Sequence, residues 1–126
     1  MNESQNQTQK HYEGIELLDQ ETFGMLKEYA KDNPELVKDI YDSFAPEAEE
    51  LVARVIATAA AKDIEGLRKS AHSLAGISGS IGAKRLQVLN SDIENAIKNG
   101  DNTTAVEHAL LVEPVYRQLL KMLEDF

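Results

Sequence analysis

The sequence has no cysteine, no tryptophan and only three prolines, and it contains no long hydrophobic run. Without cysteine, disulfides and cysteine-ligated zinc sites are excluded. The longest apolar stretch, Leu51–Ala61, includes Arg54 and is too short to span a bilayer, so we expect no transmembrane helix. The polar first fourteen residues lack the hydrophobic segment of a secretory signal. A chain of 126 residues is therefore expected to form one soluble, cytoplasmic domain.

Basic residues are also scarce, since 13 Lys and Arg stand against 22 Asp and Glu and the formal net charge is −9. Nucleic acids and anionic membranes bind basic surfaces, so we expect neither as the main partner. The charge is uneven along the chain. Segment 13–50 carries twelve acids and three bases, whereas segment 66–91 carries four bases and no acid. The basic segment predicts a functional surface, although chance clustering on a solvated helix face would give the same composition.

Hydrophobic residues recur at three- and four-residue spacing through most of the chain, which predicts an all-α protein. We find no alternating strand pattern and no internal repeat. The pattern predicts a short first helix capped by Asp19, followed by longer helices over about 34–61, 64–81, 83–98 and 103–124. We expect residues 15–126 to form an antiparallel four-helix bundle with an additional short N-terminal helix. Residues 1–14 are expected to be a flexible polar tail.

Helix-breaking residues set several of the expected helix ends. Asn33 is the predicted N-cap of the first long helix, with Pro34 at its first helical position. Gly82 is expected to end the next helix. Proline lacks a backbone N–H, so we expect Pro46 to kink the helix that contains it and Pro114 to bend the last helix.

The basic segment contains the most informative pattern, which is centred on His72. At about 100° per residue, the apolar stripe of this helix points away from His72, so the imidazole should face solvent. Its face carries two cations one turn earlier and three small residues after it: Arg68, Lys69, Ala75, Gly76 and Gly79. Because a mid-helix glycine costs about 1 kcal/mol relative to alanine, the small residues suggest steric access and docking for a large partner. A lone exposed histidine is otherwise often an ordinary surface residue.

One exposed histidine supports few kinds of chemistry. A hydrolytic triad needs an orienting acid, and segment 66–91 has none. His11, His72 and His108 are far apart in the sequence and no Glu-x-x-His pair exists, so we expect no metal site, and a metal-dependent enzyme is the weakest hypothesis. No nucleotide-binding loop or kinase signature is present. Acceptance and return of a phosphoryl group remains, with nearby cations stabilising its charge.

Two groups of residues in this chain match a known family. The first is Ala71-His72-Ser73-Leu74-x-Gly76 with Ser80–Ala83, Leu86 and Ile93-Glu94, and the second is Leu18-Asp19, Asn33–Leu36, Phe44, Asp63 and Gly100-Asp101. Through them the chain resembles the histidine-containing phosphotransfer (HPt) domains of two-component phosphorelays over about residues 17–125. The resemblance implies that His72 accepts a phosphoryl group from a receiver-domain aspartate and passes it to another receiver. It also implies no autonomous catalysis and no cofactor on this chain, with Mg²⁺ held by the receiver.

The chain departs from the family at one position. Many members have lysine three residues after the histidine, where this chain has Ala75. The role of that lysine beside the phosphoryl oxygens could pass to Lys69, to Arg68 or to a cation of the Lys84-Arg85 pair, or it could be absent.

Glu94 stands where the family often has a polar residue that binds the imidazole. The resemblance therefore implies that Glu94 orients His72. Alternatively, Glu94 pairs with Lys98 four residues later on the same helix.

The expected partners are receiver domains of response regulators, a hybrid histidine kinase, or both, and the chain is expected to be a monomer. Met1 and the polar segment after it lead us to expect a free-standing protein. A second hypothesis is a non-phosphorylated helical module that sequesters a response regulator, which Ala75 keeps open.

Overall fold

The fold was obtained as a computed structural model, which describes residues 3–125. Within these residues every regular element is a helix, which confirms the all-α prediction. The elements are α1 (Glu3–Glu13), α2 (Gln20–Asp32), α3 (Glu35–Ala60), α4 (Ile64–Ser80), α5 (Lys84–Lys98), α6 (Asn102–Ala109) and α7 (Val112–Glu124). None of the helices in the described part of the chain is both long and apolar enough to cross a membrane.

The helices enclose one apolar core. Helix α4 packs between α3 and α5, while α6 and α7 contact both α3 and α5 on the other side. Helix α2 lies on α3, and α1 lies on α5. The largest fully buried side chains come from α3, α4, α5 and α7, and they include Val55, Leu67, Leu74, Leu86, Leu89, Ile93, Tyr116 and Leu119. Because α4 has its main contacts with two helices, its remaining face is open to solvent.

Aspartate side chains cap three of the helix N-termini. The carboxylates of Asp19, Asp63 and Asp101 each accept a hydrogen bond from the backbone N–H three residues later, at 2.7, 3.1 and 3.1 Å. These bonds satisfy N–H groups that have no partner within the helix. The Asp19 cap is therefore confirmed. Hydrogen bonds to a carboxylate favour its ionised form. The backbone bond from Thr22 holds the pKa of Asp19 below its usual range, and the pKa of Asp101 is lowered first by the Thr104 hydroxyl, which donates to Oδ2 at 2.6 Å, and then by the Thr104 N–H.

The junction between α2 and α3 differs from the prediction. Asn33 ends α2, because its N–H donates to Tyr29 O at 2.8 Å, and it does not cap α3. Pro34 already has helical torsions, with φ −65° and ψ −17°, and no side chain caps this N-terminus. The Asn33 cap was wrong because two helices share a two-residue junction, in which Asn33 serves the helix before it. Helix α3 then continues through Pro46.

The last predicted helix is two helices, α6 and α7, rather than one bent helix. Pro114 lies in the first turn of α7, where its missing N–H leaves the carbonyl of Leu110 without the usual donor. Helix α6 ends with hydrogen bonds that span three residues instead of four, from Leu110 N to Glu107 O at 3.2 Å and from Leu111 N to His108 O at 3.0 Å. A proline in this position therefore separates the two helices.

Residues 1–14 were expected to be a flexible polar tail, but Glu3–Glu13 is helix α1, and residues 1–2 lie outside the described part of the chain. Tyr12 is 2% exposed, and its hydroxyl donates to Asp92 Oδ2 of α5 at 2.5 Å. After the helix, Arg85 of α5 donates from Nε to Ile15 O at 2.7 Å. The polar composition concealed this helix because one buried ring and a few long-range hydrogen bonds hold it in place.

The turn between α4 and α5 depends on Gly82. Its φ is +73°, a region that disfavours side chains, and a Cβ there would collide with Thr22 Oγ1. The carbonyl of Gly82 accepts from Asp19 N at 2.9 Å. Gly82 thus sets the tight turn that brings α4 and α5 side by side, with the first residues of α2 against the turn.

Candidate functional site

His72 lies near the middle of α4, on the face that α3 and α5 leave open. Its side chain is 70% exposed, whereas its neighbours Ala71 and Leu74 are fully buried. The exposure predicted from the helical phase is therefore confirmed. An imidazole with this exposure is accessible to a group presented by another protein.

Glu94 of α5 is the direct partner of the imidazole. Its Oε1 and Oε2 lie 3.1 and 2.9 Å from Nδ1 of His72, and its side chain is only 13% exposed. A carboxylate can only accept hydrogen bonds, so in this contact Nδ1 donates. In the neutral ring the lone pair is then on Nε2. The two residues meet because α4 and α5 run in opposite directions from Gly82, with His72 ten positions before it and Glu94 twelve after it.

Two cations lie beside Glu94, one from each helix. Arg68 Nη1 and Lys98 Nζ are 3.8 and 3.7 Å from Glu94 Oε2. The two readings of Glu94 are thus compatible, because one carboxylate contacts both His72 and Lys98. Lys98 was the residue missing from the predicted site, and its signal was the four-residue spacing to Glu94.

Arg68 is also bound by Glu65, one turn earlier on α4. Glu65 Oε2 accepts from Nε at 3.0 Å and Oε1 accepts from Nη2 at 2.6 Å. These side-chain hydrogen bonds raise the pKa of Arg68 and lower the pKa of Glu65. Lys69 is exposed beside them. Arg68 and Lys69 therefore lie one turn before the histidine, as predicted.

The structure does not bring Lys84 and Arg85 to the histidine. They begin α5, and at 1.5 Å per residue Arg85 lies about 14 Å along the helix from Glu94. Arg85 donates to the carbonyls of Ile15 and Glu13 and to Gln118, and burial lowers its pKa. Its predicted role in phosphoryl electrostatics is replaced by a structural one. Clustering in the sequence was misleading. Arg68 of α4 contacts Glu94 near the C-terminal end of α5, whereas Lys84 and Arg85 lie at the N-terminal end of α5.

The small residues around His72 differ in accessibility. Gly76 is open, since a Cβ added there would meet no atom within 4 Å. At Gly79 an added Cβ would lie 2.6 Å from Nε2 of Gln87, so the Gln87 amide covers this position. Ala75 is 8% exposed, and its predicted role in access and docking is corrected to packing. The buried arc of α4 extends as far as Ala75 because α4 packs against two helices.

The chemistry of the site rests on one nucleophilic nitrogen and its charged neighbours. Among residues 3–125 no three His, Asp or Glu side chains are grouped so that they could hold a metal ion. The acidic side chain touching His72 contacts Nδ1 and leaves Nε2 free of that contact. The arrangement suits transfer of an electrophilic group to and from an exposed imidazole.

The described residues form an all-helical domain in which the exposed imidazole of His72 lies on an open face of α4. A family model described as Hpt domain matches residues 24–126, so the chain belongs to the Hpt domain family. Hpt domains are helical bundles that act in phosphorelay signalling and interact with receiver domains. The resemblance seen in the sequence is thereby confirmed. A search of curated proteins and a search of solved structures found no match.

Proposed function

We propose that the chain is a phosphorelay carrier in which Nε2 of His72 accepts a phosphoryl group from a receiver aspartate and returns it to an aspartate of another receiver. In the first step the Nε2–P bond forms as the P–O bond of the aspartyl phosphate breaks, leaving a carboxylate. The second step is the reverse on the other receiver. The single observation that carries this proposal is the exposed imidazole whose Nδ1 is 2.9 Å from Glu94 Oε2.

The proposed role of Glu94 is both orienting and electrostatic. When Nε2 takes the phosphoryl group while Nδ1 keeps its proton, the ring acquires a positive charge. The Glu94 carboxylate is beside that charge and offsets it, and its contact fixes the orientation of the ring. Arg68 and Lys98 hold the carboxylate in turn.

The cationic role left open by Ala75 is assigned in this proposal to Arg68 and Lys98. Both lie within 4 Å of the carboxylate that contacts the imidazole. Lys69 is exposed one turn before His72 and adds to the positive potential. An acidic receiver pocket would be attracted to these cations and repelled by the acidic surface of α2 and α3.

The partner supplies the remaining parts of the reaction in this proposal. The receiver holds Mg²⁺ and the catalytic groups, while this chain contributes the nucleophile and has no autonomous catalysis. Gly76 leaves room for the receiver backbone or side chains close to the imidazole. We propose that this exchange takes place in the cytoplasm, with the chain as a monomer.

The proposed architecture is an antiparallel four-helix bundle formed by α3, α4, α5 and the α6–α7 pair, with α1 and α2 outside it. The ring of contacts from α3 to α4, α5, α6–α7 and back to α3 supports this arrangement. It would hold the His72–Glu94 contact on the outer face of one antiparallel helix pair.

The experiment that tests the function uses the full chain and a receiver charged with acetyl phosphate or a hybrid kinase. We expect acid-labile, base-stable label on the wild type and none on His72→Gln. His11→Gln is the matched control, because His11 is another exposed histidine and lies outside the site. Label that persists in His72→Gln would refute the assignment, and so would normal receiver binding by all variants without transfer to any of them.

A further inference from the structure

The guanidinium of Arg68 is held between two carboxylates, of which only one touches the histidine. Glu65 binds Nε and Nη2 at 3.0 and 2.6 Å. The third nitrogen, Nη1, is 3.8 Å from Glu94 Oε2, which is itself 2.9 Å from Nδ1 of His72. Glu65 therefore determines which edge of the guanidinium faces the site.

Two parallel hydrogen bonds restrict an arginine more than a single ion-pair contact does. An exposed arginine otherwise samples many rotamers, but the fork formed with Glu65 fixes both the plane and the position of the guanidinium. The Arg68 side chain is 31% exposed and that of Glu65 is 60% exposed, so Arg68 packs more closely against the rest of the protein than its partner does. Lys98 has no comparable constraint, because its ammonium is a point charge with three rotatable donors.

We infer that Glu65 is a positioning residue for the phosphoryl group on His72 and that it acts through Arg68. Glu65 uses two of the five N–H donors of the guanidinium. The other three, including both on Nη1, are available to phosphoryl oxygens. The fork holds Nη1 3.8 Å from Glu94 Oε2, and Arg68 lies one helical turn before His72 on the same helix. Arg68 therefore stabilises the phosphohistidine in this inference, and Glu65 sets how effectively it does so. This inference rests on the proposed function, because it concerns the phosphorylated form of His72.

Phosphoramidate tests the inference without a receiver. It transfers its phosphoryl group to imidazole: the P–N bond of the reagent breaks, a P–N bond forms at His72 and ammonia leaves. The half-life of the phosphohistidine is then followed by ³¹P NMR on the full chain. We expect Arg68→Ala to shorten the half-life by about threefold, the scale of one exposed ion pair. Glu65→Ala should shorten it by a similar or smaller factor, and the double variant no further than Arg68→Ala.

Two further variants separate positioning from a general effect of charge or stability. Glu50→Ala is the matched control, because Glu50 binds Arg54 at 2.5 Å on α3 in a pair that makes no contact with His72. We expect it to leave the half-life unchanged. Glu65→Gln retains one acceptor oxygen and should fall between the wild type and Glu65→Ala. Urea unfolding checks that each variant is folded.

The outcomes distinguish this inference from the proposed function. Equal effects of Glu65→Ala with and without Arg68 would overturn the inference, as would a silent Glu65→Ala beside a shortened Arg68→Ala. If the half-lives behave as expected but no receiver exchanges phosphoryl groups with His72, the inference stands and the relay function falls. If receivers exchange the group and Glu65→Ala is silent, only the inference falls. If neither phosphoramidate nor a charged receiver labels His72, both the inference and the relay function fall.

Discussion

At the scale of single residues, the site is defined by which side chains are present around His72 and which are absent. Glu94 faces Nδ1, and two cations hold Glu94. On the open side, Gly76 presents no side chain. A glycine in the middle of a helix lowers the stability of the fold. We attribute its presence here to the access that it gives to a receiver.

Gly76→Ala tests that trade directly. Because a Cβ at this position meets no atom within 4 Å, alanine should be accommodated and should raise the free energy of unfolding by about 0.5–1 kcal/mol. The added methyl would occupy the face that the receiver approaches, so we expect phosphoryl transfer to slow by about tenfold. Urea unfolding and rapid-quench transfer assays measure the two effects.

Gly24→Ala is the control for this substitution. Gly24 is an exposed interior residue of α2, and an added Cβ there also meets no atom within 4 Å. It should give a similar gain in stability with transfer unchanged. Unchanged transfer in Gly76→Ala, at any stability, would show that the bare face is not used.

At the scale of elements, several local signals were read correctly, although the Asn33 cap was wrong and the last predicted helix is two helices. The Asp19 cap and the turn at Gly82 follow from residues within a few positions of the helix ends. The meeting of His72 and Glu94 was implied by the family resemblance, and antiparallel α4 and α5 on either side of Gly82 account for it. The positions of residues along their helices therefore accounted for the His72–Glu94 contact at the centre of the site.

Long-range contacts could not be predicted in the same way. Helix α1 depends on Tyr12, whose partner Asp92 is 80 residues away, and the polar sequence around Tyr12 gave no sign of this contact. Arg85 was interpreted as a functional cation because it is next to Lys84, whereas it binds carbonyls about 70 residues earlier. Hydrophobic periodicity in one sequence shows which face of a helix is apolar, but it does not show which distant residue contacts that face.

Tyr12→Phe tests how α1 is attached. Removing the hydroxyl deletes its bond to Asp92, and we expect a loss of about 1–3 kcal/mol in the free energy of unfolding. Burial, followed by the hydrogen bond from the hydroxyl to Asp92, raises the pKa of Tyr12, so the folded state retains the proton that the unfolded state loses. The contribution is therefore complete below about pH 10 and decreases as the pH rises above it. Phenylalanine should reduce that decrease.

Tyr29→Phe is the matched control, since Tyr29 is 56% exposed on α2. It should leave stability nearly unchanged at neutral pH. A smaller alkaline decrease should persist in Tyr12→Phe because burial also raises the pKa of Tyr116. If Tyr12→Phe and Tyr29→Phe unfold at the same urea concentration, the hydroxyl of Tyr12 does not anchor α1.

At the scale of the whole molecule, the charge distribution and the fold act together. The net charge of −9 limits the range of partners, and twelve acids lie in segment 13–50. The opposite charge is found near His72, on the two helices that form the site, where the cations are Arg68, Lys69 and Lys98. In the proposed function, an acidic partner would be attracted to this region and repelled by the acidic segment 13–50.

The central claim is that this fold presents one nitrogen, Nε2 of His72, to its partners. NMR of the ¹⁵N-labelled full chain, after transfer from a charged receiver, identifies both the residue and the ring nitrogen that carry phosphorus. The account predicts phosphorus on Nε2 of His72, with Nδ1 still bearing its proton toward Glu94. Phosphorus on Nδ1 of His72, or on any other residue, would contradict it.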